Sequence, residues 1–149
     1  MWSAQDWTFF VLPSVVGIIT IMFCRTRSSA GSNVKFRPPP WVFSIVWPVL
    51  YLLIGLSWVC AMHQTSPKWM CMMLYINLMI VLSLWLIVYA CMNKKKWALF
   101  VMVLALMITL VTYTWVSSII AKGVLVPLFV WLIYALLLSV FEIQMSSKL

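Results

Sequence analysis

Apolar residues run along the chain in five long blocks with short polar breaks between them. The blocks extend from about Thr8 to Cys24, from Trp41 to Met62, from Met70 to Met92, from Trp97 to Ile120 and from Val124 to Ile143. Crossing the hydrocarbon core of a bilayer as a helix takes roughly 20 such residues, with every backbone polar group bonded inside its own segment. None of the five blocks holds a Lys or an Arg, and Glu142 stands at the edge of the last. The pattern predicts an all-α integral membrane protein, a single domain over 1–149 built as one bundle of five transmembrane helices. The first block has Asp6 ahead of it instead of a basic region and ends at Arg25 and Arg27 without a small-residue cleavage pattern, so it reads as a retained helix and not a secretory signal.

The breaks are well marked. Ala30-Gly31-Ser32-Asn33 and Pro38-Pro39-Pro40 interrupt any helical pattern ahead of the second block. This first connection, about fifteen residues long, is expected to pack over one mouth of the bundle. Pro67, Asn93 and Gly123 mark the other connections, which are short enough to join only antiparallel neighbours. Gly17 and Gly55 lie inside blocks without forming a GxxxG pair, and the hydroxyls of Ser83, Thr109, Thr112, Ser117, Ser118 and Ser139 are expected to bond between helices.

Composition sharpens the class. The chain is 66% hydrophobic and 8% charged, against roughly a quarter charged in soluble domains, so lipid is its main solvent and partner. The net charge of +8 points to no nucleic acid, because the basic residues lie between apolar blocks. Arg25, Arg27, Lys35 and Arg37 occupy the first connection and Lys94, Lys95 and Lys96 the third, while the second holds Lys68 and the fourth Lys122. The positive-inside bias puts the N-terminus outside and the C-terminus in the cytoplasm. Cys24, Cys60, Cys71 and Cys91 show no metal-ligand spacing and read as free, small apolar side chains, with a Cys60–Cys71 disulfide as the alternative.

Acid–base chemistry has few residues to draw on. One histidine and two acids assemble no Ser/His/Asp set and no metal box, and no cofactor is required. His63 reads as a solvated interfacial residue, and Asn77 is the most polar residue inside a span, which leaves little apparatus for moving ions. The excess is in tryptophan, ten in 149 residues. Trp2, Trp7, Trp41, Trp69 and Trp97 fall at span ends, as in an interfacial aromatic belt. Trp47, Trp85, Trp115 and Trp131 fall further inside, where an indole N–H wants a partner. Aromatic walls would suit a flat apolar ligand, and helix packing alone is the other reading of these four.

The run from Phe36 to Gly55, FRPPPWVFSIVWPVLYLLIG, resembles the signature of the TspO/MBR family, W-x-P-P-x-W-x-F/L-x-P-V-W-x-x-L-Y-x-x-M-G. That family comprises the tryptophan-rich sensory proteins and the mitochondrial translocator proteins, also called peripheral-type benzodiazepine receptors. Leu74-Tyr75 and Trp85 resemble its third helix and Trp97-Ala98-Leu99 the start of its fourth. Pro127, Trp131, Tyr134, Ala135 and Leu138 resemble its fifth. The resemblance implies a five-helix bundle that binds porphyrins or other tetrapyrroles or synthetic lipophiles, and less readily sterols, in a pocket among the helices. It also implies a possible homodimer, and porphyrin as a ligand rather than a cofactor. The positions matching pocket-lining residues are Phe43, Trp47, Trp85, Trp97, Trp131, Ala135 and Leu138, with Trp47 and Trp131 as the tetrapyrrole contacts. Leu86, Tyr89 and Lys94 fit the loose sterol pattern L/V-x-Y-x-K/R. The chain departs from the family where Phe36 replaces the leading Trp, and where Leu78, Leu82, Leu128 and Ser139 stand at polar or Tyr positions, which reduces polar recognition. Two other readings follow from the same scaffold: a partner-binding protein without a ligand, and light-dependent porphyrin degradation with tryptophan as the reactive side chain.

Overall fold

The computed structural model describes residues 1–23, 38–92 and 94–146. These form helices α1 (Ala4–Phe23), α2 (Pro40–Gln64), α3 (Lys68–Leu86, extended by a π-helical turn over Ile87–Cys91), α4 (Lys95–Trp115) and α5 (Ile119–Ser146). All five are long and apolar enough to cross a membrane. Most of the first connection, expected to cover one mouth, lies outside the described residues.

Local sequence explains the ends. Ser3 and Asp6 close a reciprocal capping box on α1: the Asp6 N–H donates to Ser3 Oγ at 3.2 Å, and the Asp6 carboxylate accepts from the Ser3 N–H and O–H, each at 2.8 Å. α2 follows Pro39, held at φ −53° and ψ 147°, with Pro40 in its first turn, where a missing N–H costs nothing. The fourth connection differs from the expectation. It is Val116–Ser118, and Gly123 sits inside α5. The cause is the Ser118 hydroxyl, which accepts the Ala121 N–H at 3.3 Å and caps α5 five residues earlier than the glycine suggests.

α1 packs on α2, α2 on α5, α5 on α4 and α4 on α3, and α3 closes the ring against α1 and α2. The buried faces repeat at heptad spacing: Cys71, Tyr75, Leu78, Leu82 and Trp85 on α3, and Ala121, Leu125, Leu128, Leu132 and Ala135 on α5. On α4 the same face carries Ala98, Met102, Ala105, Thr109 and Thr112, and all but Met102 have small side chains that admit close neighbours. Gly55 does the same for α1, since a Cβ there would lie 2.1 Å from the Phe10 carbonyl oxygen. Outward positions such as Ile18, Ile80, Phe100 and Val130 are large, apolar and exposed, as a lipid-facing surface requires.

The hydroxyls correct a second expectation. Thr109, Thr112 and Ser139 donate to carbonyls four residues back in their own helices, at 2.7, 2.8 and 2.8 Å, because that acceptor is always within reach in an apolar setting. The buried Ser83 hydroxyl has no partner among the described residues. Helices are joined instead through Ser57 of α2, which lies 2.6 Å from the Tyr75 hydroxyl of α3 and donates to the Ala121 carbonyl of α5 at 3.0 Å. Thr65 joins the two short turns by accepting the Ser117 N–H at 3.2 Å.

Candidate functional site

The two mouths of the bundle differ in charge. At the N-terminal mouth, Asp6 of α1 meets His63 of α2 at 3.0 Å, with the His63 side chain 62% exposed. At the opposite, basic mouth, Glu142 of α5 is buried, pairs with Lys95 of α4 at 2.7 Å and accepts the Tyr89 hydroxyl at 3.2 Å. One carboxylate thus ties α5, the π-helical turn of α3 and the first turn of α4 together. Cys60 and Cys71 are free, whereas Cys91, exposed at the end of that π-helical turn, is disulfide-bonded, which corrects the expectation for it.

Just inside the basic mouth α2 presents two aromatic rings one turn apart. Phe43 meets Trp131 of α5 edge-on, with centroids 5.6 Å apart, and Trp131 leans on Tyr134 at 5.5 Å. Trp47 stacks on Trp85 of α3 at 5.0 Å, and Trp85 stacks on Tyr89 at 5.2 Å. Tyr51 adjoins Trp47 at 6.1 Å. The result is an aromatic wall shared by α2, α3 and α5, with the Glu142–Lys95 pair at its outer edge. Ala135 and Leu138, both buried, continue the Trp131 face of α5.

Two polar atoms in this wall lack a bond. Trp85 Nε1 and Trp131 Nε1 are buried and have no acceptor among the described residues. A buried donor without a partner costs about 1–3 kcal/mol, so each indole would gain from an acceptor brought by a ligand. Rings at these separations contact one another directly, so a flat apolar molecule would gain dispersion and stacking here only by parting them. Among the described residues no group of three or more His, Cys, Asp and Glu side chains is placed to hold a metal ion.

Of the residues singled out from sequence, Phe43, Trp47, Trp85, Trp131, Ala135 and Leu138 face this region, and Trp97 does not. Trp97 is 64% exposed on α4, beside the lysines. Trp115 ends α4 and is exposed, although the apolar pattern puts it further inside. The sterol pattern is split, with the Tyr89 hydroxyl turned to Glu142 while Lys94 is exposed. Asn77 points outward and donates to the Met73 carbonyl at 2.8 Å. Trp58 is the residue sequence reasoning misses. It is fully buried near the N-terminal mouth, stacked between Phe9 at 4.9 Å and Tyr75 at 5.6 Å, and its position seven residues after Tyr51, on the same helical face, is the signal that finds it.

Five membrane-length helices around an aromatic interior define a polytopic membrane protein. Its family follows from comparison: the TspO/MBR family model matches residues 9–144, nearly the whole chain. The chain belongs to the TspO/MBR family. A comparison with curated proteins finds none that matches.

Proposed function

We propose that the protein binds flat, lipophilic ligands, porphyrins and other tetrapyrroles ahead of sterols, against the aromatic wall between α2, α3 and α5. The observation that carries this reading is the pair of buried indole N–H groups on Trp85 and Trp131 that have no acceptor among the described residues, the first against Trp47 and the second against Phe43 of α2. A ligand sliding between α2 and its neighbours would replace ring–ring contacts by ring–ligand contacts of similar strength. Its carbonyl or carboxylate oxygens would satisfy the two donors. Replacing Trp85 or Trp131 by Phe keeps an aromatic face and removes the N–H. Each change should weaken protoporphyrin IX binding by roughly 5- to 10-fold, the worth of one hydrogen bond. Affinity unchanged in both variants would remove the support.

A second reading, a scaffold without a ligand, is favoured by the way the rings already contact one another and by Leu78, Leu82 and Leu128, all at 0% exposure, where the family carries polar or Tyr residues. The two differ in outcome: the scaffold shows no saturable ligand binding. For orientation, the loop charges favour the basic mouth in the cytoplasm.

A further inference from the structure

Trp97 has no part in the aromatic wall, and its neighbours give it a different setting. Lys94, Lys95, Lys96 and Trp97 together line an open depression of about 440 Å³ at the basic mouth. Lys95 is held by Glu142, which fixes this turn against α3 and α5. The side chains of Lys94 and Lys96 are exposed and, among the described residues, in no ion pair. Below them one exposed apolar face of α4 runs inward through Phe100, Leu104 and Met107, at 65%, 40% and 54% exposure.

We propose that Lys94, Lys96 and Trp97 bind the phosphate-bearing headgroup of an anionic phospholipid whose acyl chains lie along the Phe100–Met107 face of α4. Cationic side chains beside the end of a membrane helix attract anionic headgroups. An indole at that depth places its ring at the level of the glycerol and its N–H toward water. The continuous apolar face below is what separates a lipid from a free phosphate, which would use the lysines and leave Phe100 without a role. The site is separate from the aromatic wall and stands whether or not that wall takes a ligand.

Native mass spectrometry of the purified full chain in mixed micelles tests this, counting bound dioleoylphosphatidylglycerol against dioleoylphosphatidylcholine. The wild type should prefer the anionic lipid by roughly 30-fold, the size expected for two basic residues at a membrane surface. Lys94→Gln/Lys96→Gln should lose nearly all of that preference with its helix content unchanged, Lys94→Arg/Lys96→Arg should keep it, and inorganic phosphate should not displace the lipid. Equal binding of the two lipids by the wild type overturns the proposal. So does a preference that survives the double Gln change, which would assign it to other basic residues, and so does displacement by phosphate, which would leave an anion site with no role for the apolar face.

Discussion

Gly55→Ala puts the closest helix contact in the bundle to the test. A Cβ at Gly55 would stand 2.1 Å from the Phe10 carbonyl oxygen, 2.8 Å from its carbon and 3.0 Å from the Phe10 Cα. All three are backbone atoms, so no rotamer change relieves the clash and α1 as a whole must retreat from α2. Moving from 2.1 Å to an ordinary separation of 3.4 Å takes about 1.3 Å. That retreat also opens the Phe9–Trp58 stack, now at 4.9 Å. Overpacking costs about 1–3 kcal/mol, and a backbone obstacle puts this case near 3. At 2–4 °C per kcal/mol for a chain of this size, Tm should fall by roughly 6–12 °C. Gly17→Ala meets only the Tyr51 ring, at 2.7 Å and beyond, and that ring can turn, so the loss should be about 1 kcal/mol. Gly123→Ala meets nothing within 4 Å and should gain about 0.5–1 kcal/mol from helix propensity. Thermal unfolding in one detergent, followed by tryptophan fluorescence, should rank the three in that order. A Gly55→Ala protein that melts with the wild type would refute the close approach of α1 and α2.

Ser57→Ala removes the 2.6 Å partner of the buried Tyr75 hydroxyl and should cost about 1–3 kcal/mol. Adding Tyr75→Phe should recover part of that loss, and strictly additive losses in a double-mutant cycle would argue against the bond. Glu142→Ala leaves Lys95 without its counter-charge and Tyr89 without its acceptor; with Lys95 still 30% exposed to solvent, the loss should be about 2 kcal/mol, and Glu142→Gln should lose less. Equal melting of both variants with the wild type would show that the carboxylate does not tie the basic mouth. In right-side-out vesicles, a membrane-impermeant amine reagent should label Lys68 and Lys122 and spare Lys94 and Lys96 if loop charge sets orientation; the reverse pattern places the basic mouth outside.

The fold was legible because lipid imposes a length and a composition that no soluble helix needs, and five blocks met both. Boundaries were harder where two signals competed. Gly123 looked like a break, but the Ser118 cap already satisfies the first turn of α5, and a glycine inside a helix that faces open space is tolerated. The aromatic wall was legible as residue types, since Phe43, Trp47, Trp85 and Trp131 sit at matching family positions, but not as a geometry. Nothing local says that Trp97, in the first turn of α4, faces outward while Trp85 faces in. Glu142 read as an edge residue because its partners Lys95 and Tyr89 lie about fifty residues away in the chain. The role of Trp58 required knowing that α1 would bring Phe9 against it.

The central claim is that the aromatic wall takes a flat lipophilic ligand. It is tested most directly by titrating protoporphyrin IX in the dark into the detergent-purified protein and following tryptophan fluorescence in wild type, Trp47→Ala and Trp131→Ala. The account predicts saturable quenching in the wild type that both substitutions weaken, because Trp47, stacked on Trp85, and Trp131, against Phe43, both form the wall. Linear, unsaturable quenching common to all three proteins would contradict it.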